Sequence, residues 1–352
     1  VISQVYHKMG YRGAPIVELS IGEKEDCRGW LVGEPNQGLS YMFQMINGSR
    51  ISIGLAATGI SSAAYYASLG YSRERLQGRI DSDPTKPQVP IIEHADIKRL
   101  LLFQRAFVEG AFALLMQCCK YADLDIALEG EEAEKAALLL ELLIPVAKSY
   151  PAETSIRSTS HAIQCFGGYG YCEDFPVEQH FRDTRIHTIH EGTTGIQGMD
   201  ILGRKVRMKD GKAFNLYLEE LEKTIQTARE CDGLGDYADM LNNSARQLKQ
   251  LTADLIAQRE SVGHRVFVSD ATLYLDYFSL IAIAWQWLLQ SIAATRALAN
   301  GPSKADSNFY QGKLHTARYF FRYELPKTAG LAKRLLDRDT VTLDMETEFF
   351  ND

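Results

Sequence analysis

Polar and apolar positions alternate only near the start of the chain. Ile16-Val17-Glu18-Leu19-Ser20-Ile21 and Gly29-Trp30-Leu31-Val32 place β-forming residues on either side of the charged turn Glu23-Lys24-Glu25-Asp26. These runs predict a hairpin or two short strands. Two strands cannot enclose a core, so they must lean on a neighbour. From about Ser40 the apolar period lengthens to that of a helix and stays there. Helices are predicted over 40–76, 94–128, 131–150, 155–166 and 194–207, then over 215–229, 237–260, 270–300 and 309–336. Prolines between Asp81 and Pro90 mark a loop, and Gly167-Gly168 suits a helix C-terminus. Thr194-Gly195-Ile196-Gln197 has capping-box spacing.

Long helices with short connections predict a mainly α protein built on an antiparallel four-helix bundle, with a short β segment before it and an additional helical domain after it. The divisions fall at 1–36, 37–208 and 209–352, the last opening on Lys209-Asp210-Gly211-Lys212. Small residues in the first helix, among them Gly48, Gly54 and Gly59, should let neighbouring helices approach closely.

Charge and cysteine usage narrow the partners. With 38 basic against 45 acidic side chains the net charge is -7, so no global field draws this chain to nucleic acid. Six cysteines without paired CxxC sets read as reduced thiols, which suits a cytosolic or organelle-matrix location. The longest apolar stretch, Tyr277 to Leu289, is interrupted by Ser279 and Gln286 and is shorter than the ~20 residues of a membrane span. The chain opens at Val1 within strand-like sequence, which points to a piece of a longer polypeptide.

The densest chemistry lies between Gln164 and Gln197. Glycines 167, 168 and 170 remove Cβ atoms where a backbone must approach a ligand or another chain, although Gly-Gly after a helix is more often a plain C-cap. Glu191 stands just before a helix N-terminus, where the dipole stabilises a carboxylate, and a solvated first-turn acid has the same pattern. His187, His190 and Glu191 lack the HExxH spacing that grips zinc, so no metal is expected. Arg182-Asp183 reads as an ion-pair element, Cys165 as a buried inert thiol, and Trp285 and Trp287 as core aromatics.

Several separated motifs resemble the acyl-CoA dehydrogenase family. They are Val32-Gly33-Glu34-Pro35-Asn36-Gln37-Gly38-Leu39, Met45-Ile46-Asn47-Gly48-Ser49-Arg50 and Glu74-Arg75-Leu76-Gln77-Gly78-Arg79, then Gln164 to Tyr171, Pro176-Val177-Glu178, Arg182-Asp183 and Ile189 to Gln197. The tail resembles the extra helical domain of larger bacterial members, the branch that includes the methylmercaptopropionyl-CoA dehydrogenases. On this resemblance residues 1–36 are the remnant of the middle β-domain, and the family's flavin loop and first helical domain have no counterpart here. Activity from these residues alone is therefore not expected.

The resemblance implies FAD-dependent α,β-dehydrogenation of an acyl-CoA thioester to a trans-2-enoyl-CoA, a carboxylate taking the α-proton while the β-hydrogen leaves as hydride. Glu191 matches the usual base, expected in a desolvated pocket that raises its basicity. The alternative base position, immediately before the arginine matched by Arg50, is Ser49. Arg75, Gln77, Gln164, Cys165, Phe166, Gly167, Gly168 and Thr193 match flavin-contacting positions, several of them reaching a partner subunit's FAD. Asn47, Arg50 and Gly192 match substrate positions. Gly78 replaces a common aromatic, and His190 a common tyrosine. Also implied are a homodimer or dimer of dimers, electron-transfer flavoprotein as acceptor, and a bacterial cytoplasmic location. An acyl-CoA oxidase, or a non-catalytic module for oligomerisation and flavin closure, fits the same residues.

Overall fold

The computed structural model describes residues 1–25, 27–337 and 339–351, so Asp26 of the predicted charged turn lies outside it. The only sheet among the described residues pairs β1 (Ile2–Val5) with β2 (Val17–Leu19) antiparallel, with an irregularity between Ile2 and Gln4. The predicted strand at 29–32 does not form. Those residues pair with nothing, and Trp30 and Val32 are almost wholly exposed. The hairpin has no core of its own and leans on the helices through one short segment. Arg182 donates to the Met9 carbonyl at 2.8 Å, and the Tyr11 N–H donates to Asp183 at 2.6 Å. A Cβ at Gly10 would come within 2.7 Å of the Arg182 backbone, so this docking requires glycine. The pair read from sequence as an ion-pair element is the anchor of the N-terminal segment.

Three long helices carry the first half: α1 (Gly38–Glu74), α2 (Ala95–Ala127) and α3 (Gly130–Phe166). α2 and α3 are joined by Leu128 and Glu129 alone, which folds them back antiparallel. The predicted break between 150 and 155 is absent. α3 runs unbroken through Pro145 and Pro151, both buried. Proline normally interrupts a helix because it removes an N–H and crowds the carbonyl four residues back. Here that carbonyl, Ala147 for Pro151, lies against Gly54 of α1, where an added Cβ would sit 2.1 Å from it. Pro151 therefore leaves a place on α3 into which a glycine of α1 fits. Of the glycines expected to admit close helix packing, Gly54 does so, while Gly48 and Gly59 have nothing within 4 Å of their Cβ positions.

The short helices α4 (Pro176–Thr184) and α5 (Thr194–Gly203) follow. The tail contains α6 (Met208–Arg229), α7 (Gly235–Phe267), α8 (Ala271–Ala299), α9 (Lys304–Tyr319) and α10 (Thr328–Asp337), with a turn of π-helix at Phe320–Glu324. The predicted mainly α architecture holds, and one hydrophobic cluster runs from Phe103 of α2 to Leu335 of α10. Trp287 is fully buried and its indole donates to the Ala106 carbonyl at 3.0 Å. Trp285 donates to Thr224 at 2.8 Å, so both core aromatics satisfy their N–H groups.

By length and composition, α2 and α8 are apolar enough to cross a membrane, which the interrupted run at 277–289 did not suggest. Their most apolar windows are 61% and 72% buried inside the protein, so core packing accounts for that character.

The seam at Gly54 gives a paired prediction. Gly54→Ala should destabilise the fold by at least about 1–3 kcal/mol through overpacking against helix backbone. Gly59→Ala, on an exposed position of the same helix, should be neutral or stabilising by up to about 1 kcal/mol. Urea unfolding of both variants measures this, and equal midpoints would remove the seam from the account of stability.

Candidate functional site

The sequence-predicted site residues fall into two groups at opposite ends of α1. Arg50 and Arg75 are 25 positions apart along or just beyond one helix, about 37 Å at 1.5 Å per residue.

At the far end, Arg75, Gln77, Gln164, Cys165, Phe166, Gly167 and Gly168 line one cleft of about 770 Å³. The α1 helix ends at Glu74, and the chain continues extended, pinned to the loop before α2. The Gln77 N–H donates to Val89 O, the Val89 N–H to Gly78 O and the Ile91 N–H to Arg75 O, and an isolated bridge joins Leu76 to Pro90. This fixes the exposed Arg75 and Gln77 side chains on a rigid rim. The opposite wall forms where α3 stops. Gly167 has φ +61°, and neither it nor Gly168 has an atom within 4 Å of its Cβ position, so a flat ligand can reach the backbone. Tyr71 stacks on Phe166 at 4.3 Å and makes the floor.

Cys165 contributes packing. Burial pushes its thiol up to about 11, and Gln104 contacts its sulfur at 3.9 Å. Gly78 has φ +73°, and a Cβ there would lie 2.8 Å from His94 Nε2. That nitrogen is 2.7 Å from the Gln77 carbonyl, so it carries the proton and donates. His94 thus fills the space that a side chain at 78 would need. Sequence reading missed His94, Tyr71 and Tyr169 in this cleft, since only folding brings the start of α2 to the end of α3.

At the near end, Asn47, Arg50, Glu191 and Gly192 come together. Glu191 has φ +54° and Gly192 φ +91°, two successive left-handed residues just before α5. The cap of α5 is Thr193, whose hydroxyl accepts from the Ile196 N–H at 3.4 Å. The capping-box spacing had pointed to Thr194, but that hydroxyl donates to Glu153 of α3 instead. Arg50 is 5% exposed, 3.7 Å from Asp200 and 3.3 Å from Asn47 Oδ1, while Asn47 donates to Glu141 at 2.8 Å. Glu141 also pairs with the fully buried Lys205. Ser49 is turned back on its own helix, donating to Met45 O.

Gln197 Nε2 approaches both the Glu191 and Gly192 carbonyls, at 3.4 and 3.5 Å. Buried polar atoms around this turn that lack a hydrogen-bond partner include Arg50 Nε, His190 Nε2, Gln197 Oε1 and Asp200 Oδ2. Unsatisfied buried groups clustered at one turn are what a polar ligand would complete. Glu191 itself is exposed, contrary to the desolvated pocket expected for it, because its left-handed turn stands out from α5 and no described residue covers it. Among the described residues no group of three or more His, Cys, Asp or Glu side chains is placed to hold a metal.

The residue least visible in the sequence is Lys148, fully buried on α3, whose ammonium donates to the Gly192 carbonyl at 2.7 Å. Its signal was a charge at a core position, seven residues after Glu141 in the run Leu138 to Ala147. Behind the turn, His187 closes a chain of hydroxyls. Ser155 donates to Ala152 O, Thr184 donates to Ser155, and His187 Nδ1 lies 3.4 Å from Thr184 Oγ1. With its proton given to Ser155, Thr184 can only accept, so Nδ1 carries hydrogen and Nε2 accepts from the Tyr11 hydroxyl at 3.0 Å.

Comparisons with known proteins identify the family and the fold. Residues 36–206 match the family model "Acyl-CoA dehydrogenase, C-terminal domain", and residues 217–346 match "Acetyl-CoA dehydrogenase C-terminal like". A butyryl-CoA dehydrogenase of Syntrophomonas wolfei is 33% identical over 98% of this chain and 58% of its own length. A 3-methylmercaptopropionyl-CoA dehydrogenase of Ruegeria pomeroyi is 33% identical over 94% of this chain and 55% of its own length. The chain thus spans under two thirds of these relatives. The solved structure of an acyl-CoA dehydrogenase complexed with FAD from Bacillus anthracis shares the fold, with a TM-score of 0.70 at 20% identity over 99% of this chain and 58% of that one.

The His187 relay predicts a pH response. Burial, with His190 beside it, holds the His187 imidazole down to about 4, below its ordinary 6.5. A depressed folded-state pKa means that its contribution is complete above about 6.5 and is lost as pH falls toward 4. Protonation puts hydrogen on Nε2 and removes the acceptor for Tyr11. Amide protection around Tyr11, corrected for intrinsic exchange, should therefore fall as pH drops between those values, and His187→Gln should flatten that fall. A response identical in variant and parent would assign it elsewhere.

Proposed function

Because the chain belongs to the acyl-CoA dehydrogenase family, we propose that it carries the helical part of an FAD-dependent enzyme that converts an acyl-CoA thioester to its trans-2-enoyl-CoA. In this reading residues 1–36 belong to a β-domain, 37–208 to the bundle that bears the site and 209–352 to the additional helical domain. The observation that carries it is the sorting of the candidate residues: seven line one cleft, and the acid with its neighbours lies at the other end of α1.

The cleft fits a dinucleotide. Arg75 supplies a guanidinium fork for a pyrophosphate, the exposed backbone of Gly167 and Gly168 allows close approach, and Gln77 and Gln164 offer amides along the walls. FAD, when bound, supplies the two-electron acceptor for the β-hydrogen. The Glu191 carboxylate takes the α-proton, made acidic by the adjacent thioester carbonyl, onto one of its oxygens. An acyl chain laid over the exposed Glu191 excludes water there and raises its basicity. Thr193, which caps α5, and the Gly192 backbone border the same place, and Arg50 Nε and Gln197 Oε1 are the polar atoms left for the substrate.

The Arg75 cleft lies at the far end of α1 and α3 from the Glu191 turn, which supports a reading in which a cofactor in this cleft presents its ring to a neighbour's acid. The cleft serves a neighbour, which makes the working unit a homodimer or a dimer of dimers. Electron-transfer flavoprotein is the proposed acceptor, and the bacterial cytoplasm the proposed location.

Two measurements test this. In the FAD-loaded enzyme, Glu191→Gln should keep flavin and acyl-CoA binding while flavin bleaching by acyl-CoA slows by about 10²- to 10⁴-fold. Bleaching at the parental rate would move the base elsewhere. Light scattering should report an even-numbered assembly, and Arg75→Ala should lower flavin absorbance near 450 nm at equal protein. A monomer with undiminished flavin would reject the shared site.

A further inference from the structure

The turn carrying Glu191 is held in a conformation that its own residues do not favour. A non-glycine residue in the left-handed region is strained, and such strain persists only where surrounding contacts over-determine it. Gln197 reaches the turn only at 3.4 and 3.5 Å. The short contact comes from Lys148, whose Nζ lies 2.7 Å from the Gly192 carbonyl.

Lysine is an expensive residue to bury, and among the described residues this one has no carboxylate in direct contact to neutralise it. The other buried cations at this end of the protein do: Lys205 has Glu141, and Arg50 has Asp200. The charged and titratable groups around Lys148 are Glu153 on its own helix, Arg50 on α1, and Glu191, His187 and His190 on the segment before α5. Burial pushes its ammonium down to about 8, Glu153 and Glu191 pull it up, and Arg50 opposes them. A second tie from the same helix reaches the next residues, where Thr194 donates to Glu153. Helix α3 therefore grips the turn at two points, one of them through a buried cation whose direct acceptor among the described residues is that turn's carbonyl.

Resting on the reading of Glu191 as the α-proton base, we propose that Lys148 is a positioning residue for that base. Its ammonium, bonded to the Gly192 carbonyl, locks the left-handed turn that presents the Glu191 carboxylate, and its charge favours the ionised carboxylate that can accept a proton. An apolar side chain of equal length in its place removes both effects.

The test is Lys148→Met in the FAD-loaded enzyme. FAD and acyl-CoA should bind as in the parent, while flavin bleaching slows by about 10²-fold as the carboxylate loses its aim. Without the cation the ionised carboxylate loses a favourable neighbour, so the acid limb of the bleaching rate against pH should move to higher pH. A merely structural role lowers stability or flavin binding and leaves that limb where it was, and this result, like a parental rate and profile, overturns the proposal. If the variant does not fold, the unmodified chain decides. Amide protection at Gly192 to Thr194, corrected for intrinsic exchange, should fall several-fold as pH rises through about 8, where the ammonium loses its proton. Constant protection across that range overturns the proposal. Glu191→Gln, measured in parallel, separates the failures: parental bleaching there rejects the base assignment, while the exchange measurement still reports on the bond from Lys148.

Discussion

Helix α3 is the element on which both candidate sites depend, and its passage through Pro145 and Pro151 is the constraint that shapes it. Each proline frees a carbonyl that an ordinary residue would have bonded. A helix with freed carbonyls survives where its faces are buried, and α3 is packed between α1 and α2 along most of its length. The contact of the Ala147 carbonyl with Gly54 joins the two facts: the carbonyl released by Pro151 meets the position on α1 where no Cβ intervenes. Because the helix is continuous, its middle holds the Glu191 turn through Lys148 and Glu153, and its end forms a wall of the Arg75 cleft.

Buried charge is concentrated where the proposed chemistry is. The whole chain is acidic, yet three of its most buried cations, Arg50, Lys148 and Lys205, gather behind Glu191 and Gly192. Buried ion pairs seldom add stability over well-packed apolar residues, so Lys205 with Glu141 and Arg50 with Asp200 are better understood as fixing geometry. They tie α1, α3 and α5 to one another around the turn. Lys148 bonds a neutral carbonyl instead, which leaves its charge available to act on Glu191.

The N-terminal hairpin is attached on different terms. Its strands bury little, with Ile2, Val5 and Leu19 all more than half exposed, and its hold on the helices is polar. Arg182, Asp183 and His187 bind one stretch from Met9 to Tyr11, and the last of these bonds depends on a neutral imidazole. This joint can respond to pH without disturbing the apolar cluster from Phe103 to Leu335.

Helical periodicity by itself determined the mainly α architecture, because the i, i+3, i+4 pattern is local and each long helix writes its own burial into its residues. Runs of chemistry on one short segment were equally legible: Glu191-Gly192-Thr193 and Gln164 to Gly168 are contiguous, so the order of residues alone reveals the acid and one cleft wall. What the sequence did not determine depends on partners distant in the chain. Residues 29–32 have strand propensity but no strand to pair with, while Ile2–Val5 supplies the partner that Val17–Leu19 needs. Propensity cannot separate these cases, since a strand is completed by its neighbour. The continuity of α3 hung on Gly54, some ninety residues earlier, and the importance of Lys148 on a carbonyl forty-four residues later. Only the tertiary structure could choose among these, because burial and hydrogen-bond satisfaction are properties of the packed chain and belong to no single segment.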